Sequence, residues 1–193
     1  MTEAEKKIPR SIDLLSRNDS RLLVVDVQEK LVPHIPVGDS LVANCKKLIL
    51  GAKILDVPVS ATEQYPQGLG PTVAELADLL PTISEKLEFS CAPCLGWNSP
   101  AEQADGRFKV VVCGIESHVC VQQTVLDLIG QGFRVYVPAD AVASRNKFDW
   151  EVALKRMEAS GATITTTEAV LFEWCEVAGT REFKEISKLV TGR

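Results

Sequence analysis

Three stretches of this chain, RLLVVDV at 21–27, KVVVCG at 109–114 and RVYVPAD at 134–140, are short, rich in valine and apolar on consecutive positions. A strand with one face in water alternates apolar and polar residues; a nearly unbroken run requires both faces of its sheet to be covered. Between these runs the period changes. Leu41, Cys45, Leu48, Ala52 and Leu55 recur at steps of four and three, the apolar stripe of a helix. A strand followed by a helix, repeated, is the unit from which the chain is built.

The unit recurs. Asp56 and Pro58 bracket a turn into a short strand, VPVSAT at 57–62, and the loop QYPQGLG leads to a helix carrying Val73, Leu76 and Leu80. A weak extended segment, TISEK at 82–86, precedes a long irregular stretch with Pro93, Gly96, Asn98, Ser99 and Pro100, whose length favours a functional loop. After the 109–114 strand a helix is expected from about Val119 to Gln131, capped near Ser117 or His118 and ended by Gly132. Residues 150–159 read as a helix, 162–166 as a strand, and Thr167 as the start of a terminal helix. About six strands alternating with five or six helices predict an α/β fold: a three-layer α/β/α sandwich around a mostly parallel sheet. Residues 1–20 read as an N-terminal tail and 21–193 as one domain, the usual outcome for 193 residues of which 46% are hydrophobic.

A net charge of -5 with no basic block gives no means of gathering phosphates, so neither nucleic acid nor an anionic membrane is an expected partner. The charged start, MTEAEKKIPR, lacks the apolar centre of a secretory signal, and a cytoplasmic location is expected. In that compartment the six cysteines at 45, 91, 94, 113, 120 and 175 are expected as free thiols, several of them small core residues. CAPC at 91–94 lies in the irregular loop, without the strand-to-helix setting of a redox pair or further zinc ligands, and reads as loop cysteines without a special role.

Ligands of open α/β sheets sit at the carboxyl ends of the strands. Three reactive side chains meet that test. Asp26 lies near the end of the first strand, Lys86 where the third gives way to the long loop, and Cys120 at the opening of the helix after VVVCG. Each has an ordinary alternative: a turn carboxylate, a solvated surface charge, an inert core thiol. Together they are complementary. Helix-terminal N–H groups and a nearby ammonium would favour a Cys120 thiolate, Asp26 could accept the thiol proton and later prepare water, and Lys86 could hold the negative species in place.

These residues lie in LLVVDVQ around Asp26, EKLEFS around Lys86 and VVVCGIESHVCVQQT around Cys120, and in these segments, their order and their spacing the chain resembles the isochorismatase-like cysteine hydrolases. The resemblance runs from about residue 20 to 175 and implies a catalytic triad of Asp26, Lys86 and Cys120. It also implies a cis peptide between Ile115 and Glu116, whose N–H would join that of Cys120 in an oxyanion hole. The implied activity is cysteine-dependent hydrolysis of a small amide or related C–N compound through a thioester, without metal or other cofactor. Vinyl-ether cleavage of the isochorismatase type is the alternative within the same superfamily.

Nicotinamidases of this superfamily hold a metal with an Asp and two or more histidines. This chain has only His34 and His118, and TEQYPQGLGPTV after its second strand resembles instead the isochorismatase-domain-containing proteins. The residues expected about the substrate pocket are Gln28, Glu63, Gln64, Tyr65, Phe89, Trp97 and His118, although loop polarity, core packing or capping explains several equally well. A noncatalytic thiol redox or interaction protein is the rival from another class. A nucleotide-binding protein is disfavoured, since no GxGxxG or GxxxxGK[ST] loop is present. Large apolar residues at Phe148, Trp150, Phe172 and Trp174, together with the habit of relatives, make a homo-oligomer the expected assembly.

Overall fold

The unbroken apolar runs are explained by where their strands lie. In the computed structural model, which describes residues 9–192, β1 (Ser20–Val25) and β4 (Lys109–Ile115) are buried along their whole lengths. They pair with each other in parallel, from Ser20 opposite Lys109 to Val25 opposite Gly114. Around them stand β2 (Val59–Gln64), β3 (Ile83–Lys86), β5 (Arg134–Pro138) and β7 (Thr163–Thr165), in the order β3-β2-β1-β4-β5-β7. A two-residue β6 (Val142–Ala143) pairs with Gly114 and Ile115 at the end of β4. Every strand pair is parallel, so the sheet has one more short strand than the six expected.

Side chains alternate between two cores. Leu22 and Val24 of β1, with Val111, Cys113 and Ile115 of β4, pack with α1 (Gly38–Ile54) and two helices described below. Leu23, Val25, Val110 and Val112 face the opposite core, formed with α5 (Gln122–Gly130) and α6 (Lys147–Ala159). This is the three-layer arrangement, and it requires apolar residues on both faces of each central strand. At the end of β4 the chain also needs glycine. Gly114 has φ +118°, and a Cβ there would lie 2.0 Å from the carbonyl oxygen of Val25.

Several elements depart from the expectation. The helix expected over Val73, Leu76 and Leu80 is a single turn, α3 (Ala74–Ala77), preceded by another, α2 (Pro66–Leu69). The CAPC segment includes a third such turn, α4 (Ala92–Leu95). The terminal helix is two helices, α7 (Thr167–Cys175) and α8 (Arg181–Thr191), separated where Glu176 and Gly179 adopt positive φ. Thr166 and Thr180 cap them by accepting the N–H groups of Ala169 and Phe183. Both helices pack on the α1 side, where Trp174 and Ile186 are fully buried. Of the expected tail, residues 1–8 lie outside the described residues. The remainder lies against the body: Leu15 is fully buried, its N–H donates to Glu173 at 2.8 Å, and the Tyr136 hydroxyl donates to the carbonyl of Asp13 at 2.8 Å.

The strand order sets the position of a site. From β1 the chain winds outward through β2 to β3, and from β4 it winds the other way through β5 to β7. The crevice at that reversal opens between the carboxyl ends of β1 and β4. Asp26 follows β1 directly, and Glu116 follows β4.

Candidate active site

Asp26 leaves β1 in the left-handed region, at φ +52°, and is fully buried. Its backbone N–H donates to the carbonyl of Thr62 on β2 at 3.1 Å. One carboxylate oxygen, Oδ2, accepts the Nζ of Lys86 at 2.7 Å; the other, Oδ1, accepts the hydroxyl of Thr62 at 2.7 Å. Lys86, the last residue of β3, also donates to Gln64 Oε1 at 2.6 Å and to the carbonyl of Phe89 at 3.0 Å. Burial opposes a charge on Lys86, but the adjoining Asp26 carboxylate outweighs it and the lysine pKa is raised. The ammonium and carboxylate form a buried ion pair whose remaining donors and lone pairs are largely satisfied, the condition under which such a pair is tolerated.

Cys120 completes the group from the other side of the crevice. It lies in a π-helical turn, Ser117–Val121, wedged between the end of β4 and α5. Its Sγ is 4.0 Å from Gln64 Oε1. Burial and the negative charge of Asp26 push its pKa up, and the opposing effect of Lys86 does not offset them. The expectation of a favoured thiolate is thereby corrected. Burial and the carboxylate thus favour the thiol over the thiolate, and the ammonium does not reverse them. The peptide between Ile115 and Glu116 is cis. The Glu116 side chain is taken up by Arg145, whose backbone N–H and Nε donate to it at 2.9 and 3.1 Å.

The expected pocket residues divide into three groups. Gln64 and Phe89 meet the ion pair, Gln64 through its side-chain oxygen and Phe89 through its carbonyl, while the side chains of Phe89 and Tyr65 are exposed. Gln28 and Glu63 spend their polar groups on the chain itself. Gln28 Nε2 donates to the carbonyls of Gln64 and Gly70, its Oε1 accepts the N–H of Gln64, and Glu63 accepts the N–H and hydroxyl of Thr72. These bonds brace the loop after β2. His118 is half-buried with Nδ1 2.9 Å from the Ser144 hydroxyl.

Trp97 lies elsewhere. Arg21, at the start of β1, sits 4.5 Å over its ring, and Phe133 lies 5.8 Å away. Arg21 precedes Asp26 by five strand residues, about 16 Å at 3.3 Å per residue. The segment after β3 has to return to the amino-terminal end of the strands to enter β4, and Trp97, beside Arg21, lies along that return.

Cys91, expected as a loop cysteine without a special role, lies beside the ion pair. It is fully buried, with Sγ 3.3 Å from the same Thr62 hydroxyl that donates to Asp26. Burial and the Asp26 charge push its thiol up to about 12. Thr124 ties it to the opposite wall, accepting the N–H of Cys91 at 2.8 Å and donating to the carbonyl of Cys120 at 2.7 Å. A cavity of about 470 Å³ opens between the first turn of α1 and the β5–α6 connections, walled by Val37, Leu41, Val142 and Trp150. None of Asp26, Lys86 or Cys120 lines it. Among the described residues no three His, Cys, Asp or Glu side chains cluster so as to hold a metal ion, and no helix is long and apolar enough to cross a membrane.

A buried carboxylate and ammonium beside cysteine, at the switch point of a parallel α/β sheet, is the arrangement of the isochorismatase-like cysteine hydrolases. The chain belongs to the isochorismatase family, whose domain matches residues 20–169. It is 41% identical over 175 residues to isochorismatase domain-containing protein 2 of Pongo abelii, covering 89% of this chain and 82% of that protein. Among solved structures it is similar to MAR1 ribonuclease from Caenorhabditis elegans, with a TM-score of 0.83, 36% identity and 92% of each chain covered. YcaC from Pseudomonas aeruginosa shares the fold at a TM-score of 0.79 and 24% identity, covering 95% of this chain and 98% of that one.

Proposed function

We propose that this protein hydrolyses a small amide or related C–N compound through a thioester on Cys120. The observation that carries the reading is the Asp26 carboxylate, fully buried and held on separate oxygens by Lys86 and Thr62, beside a Cys120 thiol whose pKa burial and Asp26 push up. A thiol that does not ionise by itself needs a base at hand, and a fixed, desolvated carboxylate is one. Asp26 takes the Cys120 proton as sulfur attacks the carbonyl carbon. The resulting oxyanion is received by the N–H groups of Glu116 and Cys120. Asp26 returns the proton to the departing nitrogen, ammonia or an amine leaves, and a thioester remains. Asp26 next takes a proton from water, which attacks the thioester; Asp26 then returns that proton to the departing sulfur, freeing the acid and restoring the Cys120 thiol. Lys86 keeps the carboxylate in place through both stages.

Similarity to the MAR1 ribonuclease of C. elegans raises ribonuclease activity as a second reading. The net charge of -5 and the exposed apolar side chains of Tyr65, Leu87 and Phe89, which lie close to Gln64 and Lys86 in the sequence, favour a small, weakly charged substrate over a polyanion. Exposed Phe148 and Val177 support self-association, and YcaC of Escherichia coli is described as octameric. Six free thiols suit a reducing, cytoplasmic setting.

Ammonia or amine release from small carboxamides, carbamoyl compounds and hydroxamates, measured under reducing, metal-free conditions with the native chain and Cys120→Ala, tests the proposal. Release by the native protein alone supports it. No release above the variant across the panel refutes it, and Cys120-dependent cleavage of a single-stranded RNA would transfer the site to the second reading.

A further inference from the structure

Thr62 holds Asp26 twice. Its backbone carbonyl accepts the Asp26 N–H at 3.1 Å, and its hydroxyl donates to Asp26 Oδ1 at 2.7 Å. The same hydroxyl oxygen is 3.3 Å from Cys91 Sγ. A threonine hydroxyl has one proton and two lone pairs. With that proton given to the carboxylate, the contact with Cys91 is made by the thiol as donor. The raised Cys91 pKa keeps its proton in place at neutral pH. The bonds therefore run in one direction, from the Cys91 thiol to Thr62 and from Thr62 to Asp26, all among buried groups.

Torsions about the terminal bond of an aspartate are broad. A carboxylate tethered only by Lys86 at Oδ2 would turn about that single anchor. The second anchor at Oδ1 removes this freedom. The geometry points to Thr62 as a positioning residue of the reaction, one that fixes the plane in which the Asp26 carboxylate takes the Cys120 proton, with Cys91 fixing the Thr62 hydroxyl in turn. This rests on the proposed roles of Asp26 and Cys120. Valine at this position would preserve the shape and the strand preference of threonine while removing the hydroxyl.

The test is alkylation of Cys120 by iodoacetamide from pH 6 to pH 10, followed by mass spectrometry of the Cys120 peptide. It reads proton removal from the thiol and requires no knowledge of the substrate. Thr62→Val is expected to slow alkylation at pH 7 on the order of 10-fold, the scale of a lost hydrogen bond to a charged group. The deficit should close as pH rises and hydroxide replaces the carboxylate as proton acceptor. Thr62→Ser, which restores the hydroxyl, should return the rate to within about threefold of native. Thr62→Ala reads the same loss should the valine variant not fold.

A native rate without the hydroxyl overturns the inference, as does a serine variant as slow as the valine one or a deficit that does not change with pH, the mark of loosened packing. Asp26→Asn separates this from the underlying reading. If it alkylates at the native rate or faster, as loss of the negative charge alone would give, the role of Asp26 itself falls. If it is slow while Thr62→Val is native, only the role of Thr62 falls.

Discussion

Replacing Lys86 with methionine keeps most of the side-chain length and removes the ammonium. The Asp26 carboxylate, none of it exposed, loses the donor at 2.7 Å on Oδ2, and Gln64 Oε1 and the Phe89 carbonyl lose theirs. Removing one partner of a buried pair costs about 3–5 kcal/mol because the other charge stays behind. For a chain of this size each kcal/mol is worth about 2–4 °C, so the thermal midpoint should fall by about 6–20 °C. Urea unfolding followed by tryptophan fluorescence, to which the buried Trp174 contributes, measures the loss in free energy directly. The decisive arm is Asp26→Asn with Lys86→Met. Removing both charges leaves no ion to strand, so the double variant should be more stable than Lys86→Met alone. The pair also carries a pH signature. Because Lys86 titrates above an ordinary lysine, its contribution is complete below the usual lysine range and is lost as pH climbs through the raised value. Lys86→Met should lack that alkaline step. A loss under about 1 kcal/mol, or additive single effects, would refute this view of the pair.

Cys91 and Cys120 both keep their protons in the folded chain beyond the pH at which an unfolded thiol ionises. Stability should therefore fall from about pH 8.5 upward, by roughly 1.4 kcal/mol per pH unit for each thiol, with Cys91→Ala removing one share. Equal urea midpoints at pH 7.5 and pH 10 would contradict this. Gly114→Ala drives a Cβ to 2.0 Å from the Val25 carbonyl oxygen at φ +118°, so a loss of about 4 kcal/mol or more and poor soluble yield are expected. A thermal midpoint within a few degrees of native would show that the β1–β4 junction yields. Gln28→Leu strands the N–H of Gln64 and the carbonyls of Gln64 and Gly70, at a cost of about 3 kcal/mol. Limited proteolysis should then cut first between residues 65 and 72; cleavage unchanged from native would separate Gln28 from that loop.

Sheet and layers were legible because central parallel strands must be apolar on both faces, and RLLVVDV and KVVVCG satisfy that with little else possible. Asp26, Lys86 and Cys120 were legible as candidates because strand ends can be located from the same runs. Thr62 and Cys91 carried no signal. Threonine in a strand is an ordinary β-former, and nothing local shows that a loop cysteine 29 residues further on will fold beneath it. Trp97 was misplaced for a related reason: aromatic content marks burial but not at which end of the strands the ring comes to rest. The thiol character of Cys120 was invisible too, since it depends on how far burial and Asp26 outweigh Lys86, a balance of distances that spacing along the chain does not encode.

The reversal of strand order between β1 and β4 divides the chemistry between two lengths of polypeptide. Asp26, Thr62, Lys86 and Cys91 all precede the turn at 101–106, whose residues are mostly exposed, and Glu116 and Cys120 follow it. A backbone cut in that turn would place the acid–base apparatus on one fragment and the nucleophilic sulfur on the other. Neither piece could perform a turnover, and any recovered on mixing them would count reassembled sheets, making the reaction itself a gauge of docking along the β1–β4 seam.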